Sequence, residues 1–188
     1  MEKSLAQVNN NCLKVVLFGP ESTGKSTLAK KLADHYNTQW VPEYARVYLQ
    51  KKWDDTQEIC AIEDLVPIAY GQMASENELV AKANSILFCD TDLLVTQTYS
   101  KIYFDDYCPP IISEHVQKNH YELYLLMDID LPWVADDLRD RPNDRSFMFE
   151  RLVQALIDHH KPYVTVSGLG DARFTTAVNA ITNHFAYV

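Results

Sequence analysis

The chain has 188 residues, 47% apolar and 23% charged, with 17 Lys+Arg against 26 Asp+Glu and a formal net charge of -9. That length suffices for one domain that buries a sizeable core without staples, and the four separated cysteines (Cys12, Cys60, Cys89, Cys108) form no CxxC pair of a zinc ribbon or redox motif. An acid excess with no Lys/Arg block argues against nucleic acid as a partner, and no apolar run approaches a leader or the ~20 residues of a membrane span, so a reduced, cytoplasmic protein is expected.

No repeat or Gly/Ser linker divides the sequence, so residues 1–188 are read as a single domain, with 1–11 as a flexible N-terminal tail. In chain order, short apolar runs predict buried strands at Leu13 to Phe18, Gln39 to Val41, Ile86 to Cys89, Leu123 to Met127 and Tyr163 to Val166. Helical spacing fills the gaps. Leu28, Ala29, Leu32, Ala33 and Tyr36 share one face, as do Phe149, Leu152, Val153, Leu156 and Ile157, and again Phe174, Ala177, Val178, Ile181 and Phe185. A long helix is expected between Glu63 and Ala83 with Pro67 in its first turn, whereas Trp53 to Ile62 has no clear period and reads as loop or short helix. Such alternation predicts an α/β fold with a mainly parallel sheet.

The first strand runs directly into Gly19-Pro20-Glu21-Ser22-Thr23-Gly24-Lys25-Ser26, a GxxxxGK[ST] pattern, and Thr27 continues into an amphipathic helix. Glycines there let successive amides turn inward, and the helix N-terminus adds its positive dipole end. Residues Gly19 and Glu21 to Thr27 are therefore expected to bind the phosphates of ATP, with Lys25 at the β and γ phosphates and the Ser26 hydroxyl on Mg2+. The strand Ile86 to Cys89 ends in Asp90, the expected second metal ligand, while Asp92 reads either as a helix cap or as an active-site acid.

Two further segments carry chemistry. Glu43, Tyr44 and Arg46 leave the second strand where an open α/β sheet places its ligand, and are expected to form the acceptor site; an exposed Glu43–Arg46 ion pair is the structural alternative. Arg139, Arg141 and Arg145 lie among aspartates in an apolar-poor segment broken by Pro142, which reads as a lid whose guanidinium groups fold over phosphates. Of these, Arg139 and Arg145 are the expected catalytic cations; a solvated loop of self-paired charges is the alternative. There is no guanine-reading segment and no glycine after Asp90-Thr91-Asp92-Leu93, which disfavours a GTPase, and little room for a motor's lid domain. A small-molecule kinase fits the length better.

Together GPESTGKSTL, VPEYAR, FCDTD and PWVADDLRDRPNDR resemble the ribosylnicotinamide kinase domain of NadR-type proteins and related stand-alone P-loop AAA-like ATP-binding proteins, over about Leu13 to Val188. The resemblance implies a P-loop NTPase three-layer fold of nucleoside-kinase type, sheet order about 2-3-1-4-5, with an Arg-containing lid. It also implies ATP-dependent phosphorylation of a ribosyl hydroxyl, that of nicotinamide riboside, giving nicotinamide mononucleotide. By the same analogy Ser167 to Asp171 would lie near the adenine. The family's larger members carry an adenylyltransferase domain and often a DNA-binding module, for which this chain has no expected counterpart. The expected site thus has Lys25, Glu43, Asp92, Arg139 and Arg145 as catalytic residues, Glu43 or Asp92 being the base, with a nucleoside as small-molecule partner and self-association left open. A switch ATPase acting through a protein partner is the rival reading.

Overall fold

A computed structural model describes residues 4–185; residues 1–3 of the expected tail and 186–188 lie outside the described residues. Twelve elements follow one another: β1 (Leu13–Phe18), α1 (Lys25–His35), β2 (Gln39–Val41), α2 (Tyr44–Thr56), α3 (Ile62–Val80), β3 (Ile86–Asp90), α4 (Leu93–Tyr103), α5 (Pro110–Lys118), β4 (Leu123–Met127), α6 (Arg145–Asp158), β5 (Tyr163–Val166) and α7 (Asp171–Phe185). The strands form one five-stranded sheet in the order β2-β3-β1-β4-β5, the expected order, and every pairing is parallel.

Alternation along β1 divides the core in two. Val16 and Phe18 face a cluster built from α3, α4, α5 and α6, including Met73, Leu94, Ile112 and Leu156, while Val15 and Leu17 face Leu28 and Leu32 of α1 and Ala177 and Ile181 of α7. Each fully buried leucine of this kind contributes about 1.5–3 kcal/mol. Helices on both faces of the sheet make three layers, the layering expected of a P-loop NTPase.

Two stretches are helices that apolar spacing does not mark, and two depart from the sequence-based expectation. None of the residues of α2 is buried, so this helix has no apolar stripe to read. In α5 only Ile112 and Val116 are buried, too few for a period. Helix α3 begins at Ile62, which puts Pro67 beyond the first turn, inside the helix. The expected tail is docked over its described part: Leu5 is a core residue at 1% exposure, and Gln7 donates to Glu76 Oε1 (2.8 Å) and to the His120 carbonyl (3.0 Å).

The register then places the site. Leu17 lies opposite Asp90, and β1 ends with Phe18, so the loop after β1 starts beside the end of β3.

Candidate active site

The loop from Gly19 to Gly24 turns between β1 and α1. Gly19 has φ 151°, and a Cβ there would lie 3.0 Å from Met127 Cβ and 3.1 Å from the Met127 carbonyl oxygen, so the loop can run against the end of β4 only without a side chain. Gly24 caps α1 with φ 79°, a left-handed conformation that glycine adopts at little cost. Several loop carbonyls are held. Lys25 Nζ donates to the carbonyls of Gly19 (2.9 Å) and Pro20 (2.8 Å), and Thr23 Oγ1 to that of Pro20 (2.8 Å). The Ser22 carbonyl accepts from Arg145 (3.4 Å) and the Thr23 carbonyl from Arg173 (2.8 Å). Because N–H and C=O of a trans peptide point in opposite directions, tying the carbonyls fixes where the amides aim.

Ser26 Oγ donates to Asp90 Oδ2 at 2.5 Å, while Asp90 Oδ1, fully buried, has no hydrogen-bond partner among the described residues. A buried carboxylate oxygen with an open valence beside a hydroxyl oxygen is a donor set suited to a hard divalent cation. The two residues therefore fit the magnesium that the motif implies. Burial, reinforced by the nearby Glu43 carboxylate, pushes the Asp90 carboxyl up to about 6.

A cavity of about 500 Å³ opens from this loop. Glu21, Lys25 and Ser26 of the loop line it together with Glu43, Arg46 and Arg139, and Trp53, Ile59, Tyr99 and Phe104 give it aromatic and apolar walls. Glu43 is the residue that precedes the first turn of α2, and its charge is felt at both Asp90 and Glu21. Glu21 is pushed up to about 7, chiefly by burial, with Lys25 opposing the shift and Asp140 and Glu43 adding to it.

Not every expected residue reaches this cavity. The Asp92 carboxylate caps α4, accepting from the amides of Leu94 and Val95 (both 3.1 Å) and from the Tyr124 hydroxyl (2.8 Å). At 2% exposure it has no face for a substrate, so of its two sequence readings the cap is the one built here. Tyr44 is turned away too: its ring covers Gly71 on α3 so closely that a Cβ at Gly71 would fall 2.1 Å from it. Its amide donates to Gln72 Oε1 (2.8 Å), which pins the start of α2. Arg145 lies outside the cavity as the first residue of α6, its guanidinium on the Leu131 (2.7 Å) and Ser22 carbonyls and over the Trp133 ring.

The lid segment is latched by its own charges. Asp136 takes both Arg46 (2.6 Å) and Arg139 (3.1 Å), Asp140 accepts from the Tyr103 hydroxyl (2.6 Å), and Arg141 pairs with Asp144 while lying over the Tyr103 ring. Arg139 is the lid arginine that lines the cavity. Gly168, in the loop expected near the adenine, donates its amide to Asp130 (2.6 Å) and gives its carbonyl to Arg173 (2.8 Å). Sequence reasoning missed Arg173, a buried cation on the apolar-patterned α7. The signal available was an arginine two positions after the first residue of a helix that follows a Gly-containing strand end.

A family model described as an AAA domain, AAA_28, matches residues 14–173. The chain is 32% identical over 170 residues to the trifunctional NAD biosynthesis/regulator proteins NadR of Salmonella typhimurium and of Escherichia coli K12, in each case over 89% of this chain and 41% of the relative. It thus spans well under half the length of these curated relatives. Among solved structures, a NadR protein in complex with NR superposes with a TM-score of 0.75 at 23% identity, covering 93% of this chain and 51% of that one. Thymidylate kinase from Ehrlichia chaffeensis superposes with a TM-score of 0.60 at 12% identity, covering 92% and 99%. At these identities the two superpositions speak for the fold.

Proposed function

The chain belongs to the AAA_28 family of AAA domains, and from that premise we propose that it is an ATP-dependent small-molecule kinase that transfers the γ-phosphoryl group to a ribosyl hydroxyl of nicotinamide riboside. One observation carries the reading: the phosphate loop and the pair Glu43 and Arg46 line one continuous cavity that also has aromatic and apolar walls. A switch has no need of such a chamber beside its phosphates, whereas a kinase must seat an acceptor there. The sequence relatives named for NAD biosynthesis support nicotinamide riboside as that acceptor.

The loop amides and Lys25 hold the phosphate chain, and Glu43 accepts the proton of the attacking hydroxyl. As the ribosyl oxygen bonds to the γ-phosphorus, the bond from that phosphorus to the bridging oxygen breaks, and ADP leaves with the electron pair. Arg46 orients the acceptor and Arg139 meets the charge on the moving group once Asp136 releases them. Ser26 and Asp90 would hold magnesium, which supplies charge neutralisation at the β and γ phosphates. Residues 1–188 act as one kinase unit, and its partner is a small molecule. The test is ADP release from ATP with and without a panel of ribonucleosides: stimulation by nicotinamide riboside supports the kinase, and a rate indifferent to every nucleoside favours the switch.

A further inference from the structure

Arg173 stands apart from the other arginines of the site. It is 4% exposed, sits in the first turn of α7, and contacts three separate loops. Its Nε donates to the Gly168 carbonyl (2.8 Å), one terminal nitrogen to the Thr23 carbonyl (2.8 Å), and the other to the Asp128 carbonyl (3.4 Å) and to the Asp130 carboxylate. The second Asp130 oxygen accepts from the Gly168 amide (2.6 Å), and Asp128 accepts from the Ser167 hydroxyl (2.9 Å). One planar fork therefore joins the phosphate loop, the end of β4 and the turn after β5.

Resting on the kinase reading above, we infer that Arg173 is a positioning residue of the nucleotide side: it fixes the Thr23–Gly24 peptide and couples its orientation to the loop at Gly168. The Thr23 carbonyl is bound toward α7, so the Gly24 N–H, on the same rigid peptide, points the opposite way. Without the fork that peptide is free to rotate, and the amide cradle loses alignment at the residue preceding Lys25. The acceptor side is untouched, because the hydrogen bonds of Arg173 go to Gly168, Thr23, Asp128 and Asp130 and none goes to Glu43 or Arg46. A buried arginine that merely filled space would need none of this convergence on carbonyls of three loops.

The test uses the full chain and calorimetric titration with ADP in the presence of magnesium, alongside steady-state KM values for ATP and for nicotinamide riboside. Arg173→Gln is expected to weaken ADP binding and raise the ATP KM by about 10- to 100-fold, the scale of a misaligned site. The acceptor KM should stay within about twofold of wild type. Arg173→Lys, which keeps the charge but not the fork, should recover only part of the loss. An unchanged ADP affinity, or a rise in both KM values together, overturns the assignment. Should Arg173→Gln fail to fold, Asp130→Asn carries the test: it frees one anchor of the fork and should raise the ATP KM alone, by less, and no rise overturns the assignment. A wild type that binds ADP but phosphorylates no nucleoside defeats the kinase reading and leaves the ADP titrations to decide on Arg173. A wild type that binds no adenine nucleotide defeats both.

Discussion

The two walls of the cavity are built by opposite means. On the phosphate side, the loop after β1 is clamped from all round: Lys25, Thr23, Arg145 and Arg173 each take a loop carbonyl, and Thr23 is fully buried. On the acceptor side, α2 has no buried residue and the lid is held by charge pairs such as Arg46–Asp136, with the arginine side chain 40% exposed. Rigid dipoles suit a flexible triphosphate chain that must be held in one geometry, and a wall that can shift suits an acceptor that must enter and leave. On the kinase reading, the contrast ties nucleotide affinity to packing and acceptor turnover to surface electrostatics.

Substitutions on one wall or the other put this difference to the test. Lys25→Ala has the largest expected effect, a loss of turnover on the order of 10³-fold with the fold intact by circular dichroism, since its ammonium bonds to two carbonyls of its own loop rather than to the core. Glu43→Gln should spare ADP binding in calorimetry and lower the acceptor-dependent rate by roughly 10²-fold. Arg46→Lys should raise the acceptor KM by about tenfold, a lysine being unable to reproduce a planar fork, with the ATP KM unmoved.

Smaller effects sharpen the boundary. Asp92→Asn should leave kcat near wild type but change how stability responds to pH. Burial raises the Asp92 carboxyl from 3.8 to about 6, with bonds from Tyr124 and the α4 amides opposing the shift. A carboxyl raised on folding contributes stability that is fully present below its unfolded value and is lost as pH rises through its folded one. Between pH 4 and 6.5 the wild type should therefore lose more of its melting temperature than Asp92→Asn does; parallel curves would contradict the buried-cap placement. Tyr44→Phe should change nothing in either KM, since the hydroxyl lies away from the cavity.

The phosphate side was legible in the sequence because its logic is local. A strand, a glycine-bounded loop and a helix are contiguous, and Asp90 ends a run of apolar residues, so Ser26 and Asp90 could be paired before any coordinates. The acceptor side was only half legible. Glu43 and Arg46 could be placed by position, but the direction of Tyr44 depends on the absence of a side chain at Gly71, far along the chain. Arg173 was hidden for a related reason: most of its partners are main-chain carbonyls, which any sequence supplies, and the same kind of partner takes Arg145, which the sequence did single out, away from the cavity. The docking of Leu5 was likewise invisible, as one leucine among polar residues carries no period.

The central claim is that both walls serve one transfer, from a fixed donor to a mobile acceptor. The direct measurement is ³¹P NMR of wild-type protein incubated with magnesium, ATP and nicotinamide riboside, which reports where the γ-phosphorus ends. A phosphomonoester signal growing in step with ADP is the predicted result. Inorganic phosphate growing in its place, at a rate the nucleoside does not alter, would contradict it.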